Sequence, residues 1–85
     1  MFTVYALYSE KYNKIYIGQT SDIIQRLAYH NVTAIKSWTL KYRPWKCIYT
    51  EVCNTRADAI RREKQLKSSK GREFIWLKVQ GFCSI

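Results

Sequence analysis

Two tyrosines, an arginine, a histidine and a glutamate stand out in this chain as side chains able to do chemistry together. Tyr5 and Tyr16 are eleven positions apart, Arg26 follows ten further on, His30 lies four beyond that, and Glu63 falls in the second half. A phenol has an ordinary pKa near ~10 and works as a base only where cationic neighbours favour phenolate. A guanidinium presents a planar fork that matches the oxygens of a phosphate. An imidazole moves protons near neutrality, and a carboxylate holds a hard divalent cation. Proton transfer, anion binding and cation binding are all available if the fold brings the five together.

Two strand-like runs and a helix would position the first four. Val4, Ala6, Ile15 and Ile17 alternate with other residues in the period-2 sense of strands, and Glu10 to Asn13 is polar, as a hairpin loop is. With residue 8 opposite 13, Tyr5 falls opposite Tyr16, with Cβ atoms about 5 Å apart on one face. Gly18 ends the second strand, Thr20 or Ser21 is the expected cap of the next helix, and Asp22 sits in its first turn. At about 100° per residue, Ile23, Leu27 and His30 share a helix face with Arg26 on its edge. Arg26 and His30 are i,i+4 neighbours and both reach one site. Glu63 belongs to a later helix, opened by Thr55 as N-cap with Asp58 in a capping-box-like position. Ala59, Ile60, Glu63 and Leu66 fall on one face of it, which turns Glu63 in the apolar direction. A carboxylate there needs a metal, a hydrogen bond, a salt bridge such as one to Arg26, or a place at the rim.

On these residues the chain resembles the GIY-YIG nuclease family. Thr3-Val4-Tyr5 and Tyr16-Ile17-Gly18 sit where that family carries its two defining tripeptides, with Thr3 and Val4 standing for Gly and Ile. The spacing of Arg26 and His30 is similar to the family's helix, and Glu63 in RREKQLK resembles its metal-binding glutamate. The similarity runs from about Phe2 to about Val79 and is greatest to small single-domain members, relatives of the nuclease domain in the excision-repair C subunit. It implies a DNA endonuclease, with DNA repair as a setting. Tyr5 would be the general base, Tyr16 its partner or the group that orients the water, and Arg26 the phosphate clamp. Glu63 would hold one divalent ion, Mg²⁺ or Mn²⁺, that keeps several waters. His30 would orient the nucleophile, bond phosphate or relay a proton. The residues leave open which tyrosine is the base, and whether the substrate is single-stranded, duplex, branched or RNA.

Charge agrees with a nucleic-acid partner. Lys and Arg total 15 against 6 acids, a net +9, and twelve of the 15 lie at or beyond Lys36. Such a field draws polyanions, nucleic acid ahead of anionic membrane. The expected phosphate track is Lys36, Lys41 and Arg43 with Arg61, Arg62, Lys64, Lys67 and Lys70. Two other classes compete with the enzyme: a non-catalytic nucleic-acid-binding module that keeps the fold, and a scaffold for acidic proteins. Neither needs an acid on the core-facing side of a helix in a basic protein. No stretch approaches the ~18 apolar residues of a membrane helix. Cys47, Cys53 and Cys83 form no C-x-x-C pair, so a reduced, cytoplasmic protein without a small-molecule cofactor is expected.

The expected architecture is α+β. It is one domain over residues 1–85, with a core of about 2–79, in the order β-β-α-(α)-β-α-α. Strands near 2–8, 14–18 and 46–52 form a three-stranded antiparallel sheet, flanked by helices near 21–30 and 55–68. A short helix or irregular turn is expected near Thr33 to Leu40, where Trp38 reads as a core residue or a stacking platform, as does Trp45 beyond it. KCIYTEVC alternates imperfectly for a strand. Gly71 is expected to break the long helix, leaving a last helical turn or two over Arg72 to Val79 and a tail from Gln80.

Overall fold

Apolar residues from Val4 to Leu7 make the strand on which everything else is laid. The computed structural model describes residues 1–33 and 41–83. β1 (Phe2–Ser9) is buried from Val4 to Ser9 and lies between β2 (Lys14–Thr20) and β3 (Lys46–Cys53) in an antiparallel sheet ordered β2-β1-β3. α1 (Ile23–Ala28) runs into a π-helical turn at Tyr29–Thr33; α2 (Arg56–Lys67) and α3 (Ser69–Cys83) follow β3. The α+β class, the three antiparallel strands and the helices expected near 21–30 and 55–68 match the expectation. The turn expected near Thr33 to Leu40, with Lys36 and Trp38, lies outside the described residues.

Because successive strand side chains point to opposite faces, β1 builds two cores. Val4, Ala6 and Tyr8 pack with Ile15, Ile17, Ala59, Leu66, Ile75 and Val79, so α2 and α3 cover that face. Tyr5 and Leu7 pack with Trp45 and draw in Ile23 and Leu27 of α1 from the other side. Trp45 is therefore a core residue. Each large side chain so buried contributes ~1.5–3 kcal/mol from removal of apolar surface.

Two local expectations are corrected here. The hairpin register pairs Ser9 with Lys14 and Tyr5 with Gly18, placing Tyr16 opposite Leu7. The four-residue loop closes between 9 and 14, with Asn13 in the left-handed region at φ 54 and its side chain accepting from Tyr8 Oη at 2.9 Å. The slip is by an even number of positions, so Tyr5 and Tyr16 keep the same face as diagonal neighbours. Asp22, rather than Thr20 or Ser21, caps α1 by accepting from the Gln25 amide at 3.1 Å. The uneven alternation of β3 has a cause: the register against β1 skips Ile48 between Cys47 and Tyr49, a bulge that shifts the period by one.

Gly71 breaks nothing. The chain leaves α2 at Ser68, whose extended backbone ends the helix, and α3 then runs unbroken through Gly71 to Cys83, taking in what reads as a tail. A Cβ at Gly71 would meet the backbone of Gln65 and Leu66, so the glycine is there to let the two helices touch. Thr55 caps α2 as expected, accepting from the Asp58 amide at 3.1 Å.

Candidate active site

Three elements bring the motif side chains together at the β2 side of the sheet. Tyr5 projects from the central strand beneath α1 and is 1% exposed. Directly opposite it, Gly18 leaves the space over which the phenol lies: a Cβ there would stand 2.6 Å from Tyr5 Oη. The rings of Tyr5 and Tyr16 are 6.3 Å apart, centre to centre. The π-helical turn then aims His30 inward, where it is 2% exposed and its Nε2 lies 3.0 Å from Tyr5 Oη. His30 also packs 4.7 Å from the Tyr16 ring. Asn31 fixes this turn to the start of β3, donating to the Trp45 carbonyl at 3.1 Å and accepting from the Trp45 amide at 2.7 Å.

Arg26 stands at the mouth of this pair, partly exposed, with its guanidinium 4.7 Å above the Tyr29 ring. It approaches both phenols: hydrogen bonding to Tyr5 is the main reason its own pKa rises, with Tyr16 adding to it. A cleft lined by Thr20, Asp22, Gln25 and Tyr29 opens beside it. Burial pushes the Tyr5 phenol up to about 12, against the opposing pull of Arg26, while Tyr16 and Glu63 push the same way as burial. The cationic surroundings therefore do not produce the lowered phenol that a free-standing base needs. Burial, then the positive charge of Arg26, lowers His30 to about 4. With the imidazole neutral and its proton on Nδ1, Tyr5 donates to Nε2.

Glu63 is near enough for its charge to be felt at Tyr5. It does not point into the core: its side chain is 23% exposed and pairs with Lys67 at 2.8 Å, one turn along α2. The rim position is the outcome, and Ile60 beside it is 40% exposed. Among the described residues no group of three His, Cys, Asp or Glu could hold a metal ion. A single carboxylate at a rim would suit an ion such as Mg²⁺, which keeps several waters, with Glu63 the residue that would hold it.

Residues 1–75 match the family described as the GIY-YIG catalytic domain. This chain belongs to that family. The UPF0213 protein DP2720 of Desulfotalea psychrophila is 33% identical over 75 residues, covering 84% of this chain and 68% of that protein. The UPF0213 protein SH2523 of Staphylococcus haemolyticus is 33% identical over 58 residues, covering 68% and 71%. No solved structure matches. Membership in the GIY-YIG family implies a nuclease domain whose substrate is nucleic acid.

The basic residues expected to track phosphate divide into two kinds. Arg62 belongs to a half-buried network, donating to Glu51 at 2.9 Å while Tyr49 donates to the same carboxylate at 3.0 Å. The guanidinium beside Glu51 holds that carboxyl below its ordinary range. Arg43 donates to the Asn31 carbonyl at 3.2 Å, Arg61 pairs with Asp58 at 3.4 Å, and Lys67 pairs with Glu63. Lys41, Lys64 and Lys70 are exposed. Lys36 lies outside the described residues. Sequence reasoning missed the cradle at Gly18, the strap at Asn31 and the shelf at Tyr29. Only the first had a signal, a glycine two positions from Tyr16. The described residues contain no helix long and apolar enough to cross a membrane.

Proposed function

We propose that this GIY-YIG domain is a metal-dependent endonuclease that hydrolyses phosphodiester bonds in DNA, its 85 residues acting as one catalytic unit in the cytoplasm. The hydrogen bond between Tyr5 and His30, beside Arg26, carries the reading. Burying a phenol and an imidazole costs solvation that a pure binding surface has no reason to meet. Arg26 takes a non-bridging oxygen of the scissile phosphate. Tyr16, the more exposed phenol, orients the attacking water. Tyr5 accepts the water's proton as its own passes to His30 Nε2, so no phenolate persists and the high pKa of Tyr5 is no obstacle. A phosphate on Arg26 offsets one of the two causes that keep His30 neutral, so the imidazole gains basicity as substrate arrives. Glu63 would hold a divalent ion, Mg²⁺ or Mn²⁺, which when bound polarises the phosphate and assists departure of the leaving oxygen.

A panel of single-stranded, duplex, flap and branched DNA, with Mg²⁺ or with EDTA, tests this. At least one member is cut in Mg²⁺, the cut is lost in EDTA, and Arg26→Ala abolishes it. Tight binding with no cut in any member would make the protein a binding module instead.

A further inference from the structure

A second basic surface lies at the hairpin tip, away from the Tyr5–His30 pair. Tyr12, in the loop joining β1 to β2, is 41% exposed, and its ring meets that of Tyr42 edge to face at 5.5 Å. Tyr42 packs in turn against the core that holds Tyr5 and Tyr16. Three ammonium groups surround the two rings: Lys11 lies 5.5 Å from the centre of Tyr12, and Lys14 and Lys41 lie 5.6 Å and 5.5 Å from that of Tyr42. The nearby acid, Glu10, pairs with Lys46 at 3.1 Å.

Three like charges around two rings repel one another, and each exposed cation–π contact contributes only ~0.5–1 kcal/mol in return. A ligand that supplies anions and flat π-faces together relieves the repulsion and uses the ring. Nucleic acid with unpaired bases has that composition, since positive grooves with aromatic platforms hold single strands by stacking and phosphate contact. A duplex hides its base faces and offers phosphate alone.

We propose that the hairpin tip binds an unpaired stretch of the DNA strand that runs to the active site. A base stacks on Tyr12, and Lys11, Lys14 and Lys41 take the adjoining phosphates. Tyr12 is four residues from Tyr16, at most about 14 Å of chain. An unpaired strand spaces its phosphates more widely than the ~3.4 Å of a duplex strand, so the stacked base lies within at most about four nucleotides of the cleaved bond. This register rests on the nuclease reading above; binding at the surface does not.

The test is fluorescence anisotropy with a labelled single-stranded deoxyoligonucleotide and its duplex, in EDTA so that nothing is cut. Tyr12→Ala weakens single-strand binding about tenfold and leaves duplex binding unchanged, and Tyr12→Phe restores it. Replacing Lys11, Lys14 and Lys41 together by Ala lowers the salt slope of single-strand binding by about 2, at ~0.7 per phosphate. Melting temperatures confirm that each variant is folded. Unchanged single-strand binding by Tyr12→Ala, or equal weakening on both DNAs, overturns the proposal. The two readings fail separately. If the wild type cuts no DNA while Tyr12→Ala loses single-strand binding, the nuclease reading falls and this one stands. If the wild type cuts DNA and Tyr12→Ala binds normally, the reverse holds.

Discussion

Gly18 lies directly across the ladder from Tyr5, and a Cβ at position 18 would stand 2.6 Å from the Tyr5 oxygen. A buried ring cannot swing away from such a contact without leaving His30. Gly18→Ala is therefore expected to destabilise the fold by about 1–3 kcal/mol, the usual cost of overpacking a well-filled core. Cleavage should fall further than the lost folded fraction explains. Denaturant melts compared with activity per folded molecule check this, and a variant as active as wild type would show that the cradle is not needed.

His30 ties stability to acid. Its folded pKa near 4 lies below the ordinary 6.5, so the fold favours the neutral imidazole. That contribution is fully present above about pH 6.5 and is lost as pH falls through about 4. A tenfold weaker hold on the proton corresponds to ~1.4 kcal/mol, so the loss reaches about 3 kcal/mol. Urea midpoints at pH 7.5, 5.5 and 4.5 read it, and His30→Gln should flatten the profile over that window.

Activity set against melting temperature separates the roles of three residues. Arg26→Ala should lower cleavage by ~100-fold or more, as loss of a charge-stabilising donor does. Tyr5→Phe should abolish turnover and also cost about 1 kcal/mol, since it removes the 3.0 Å bond to His30. Glu63→Gln removes only a partly exposed i,i+4 pair with Lys67, ~0.3–0.5 kcal/mol, so its melting temperature should hold while metal-dependent cleavage collapses. If activity follows the folded fraction in all three, none of them serves the chemistry.

The two glycines of α3 should respond oppositely. A Cβ at Gly71 collides with backbone atoms of α2, which cannot turn aside, whereas one at Gly81 meets nothing within 4 Å. Gly71→Ala is expected to cost about 2 kcal/mol or more despite the better helix propensity, and Gly81→Ala to gain a few tenths up to about 1 kcal/mol. Thermal melts of the two single variants decide it.

The contrast shows where the sequence was legible. Period-2 alternation located β1 and β2, and the i,i+4 relation placed Arg26 and His30 together, because both patterns are local. Gly71 read as a breaker because sequence shows a glycine's freedom and not the helix it must admit. Glu63 read as core-facing because the periodicity of α2 fixes a direction but not where the packed stripe ends. Lys67, one turn on, accounts for its charge. The register of the hairpin turned on Asn13 accepting a left-handed backbone, a choice that leaves little trace in the flanking alternation. The burial of Tyr5, which outweighs Arg26 in setting its pKa, depends on residues from three elements at once and is invisible to spacing.

The site is divided between unequal supports. Tyr5 sits on the middle strand, buried from Val4 to Ser9, while Arg26 rides on a six-residue helix that contains no buried residue. Amides of β1 should exchange with solvent hydrogen only through global opening, and those of α1 through local fraying at far lower free energy. Warming should then silence the protein before it unfolds: the phosphate clamp comes loose while the phenol and the sheet beneath it are still in place.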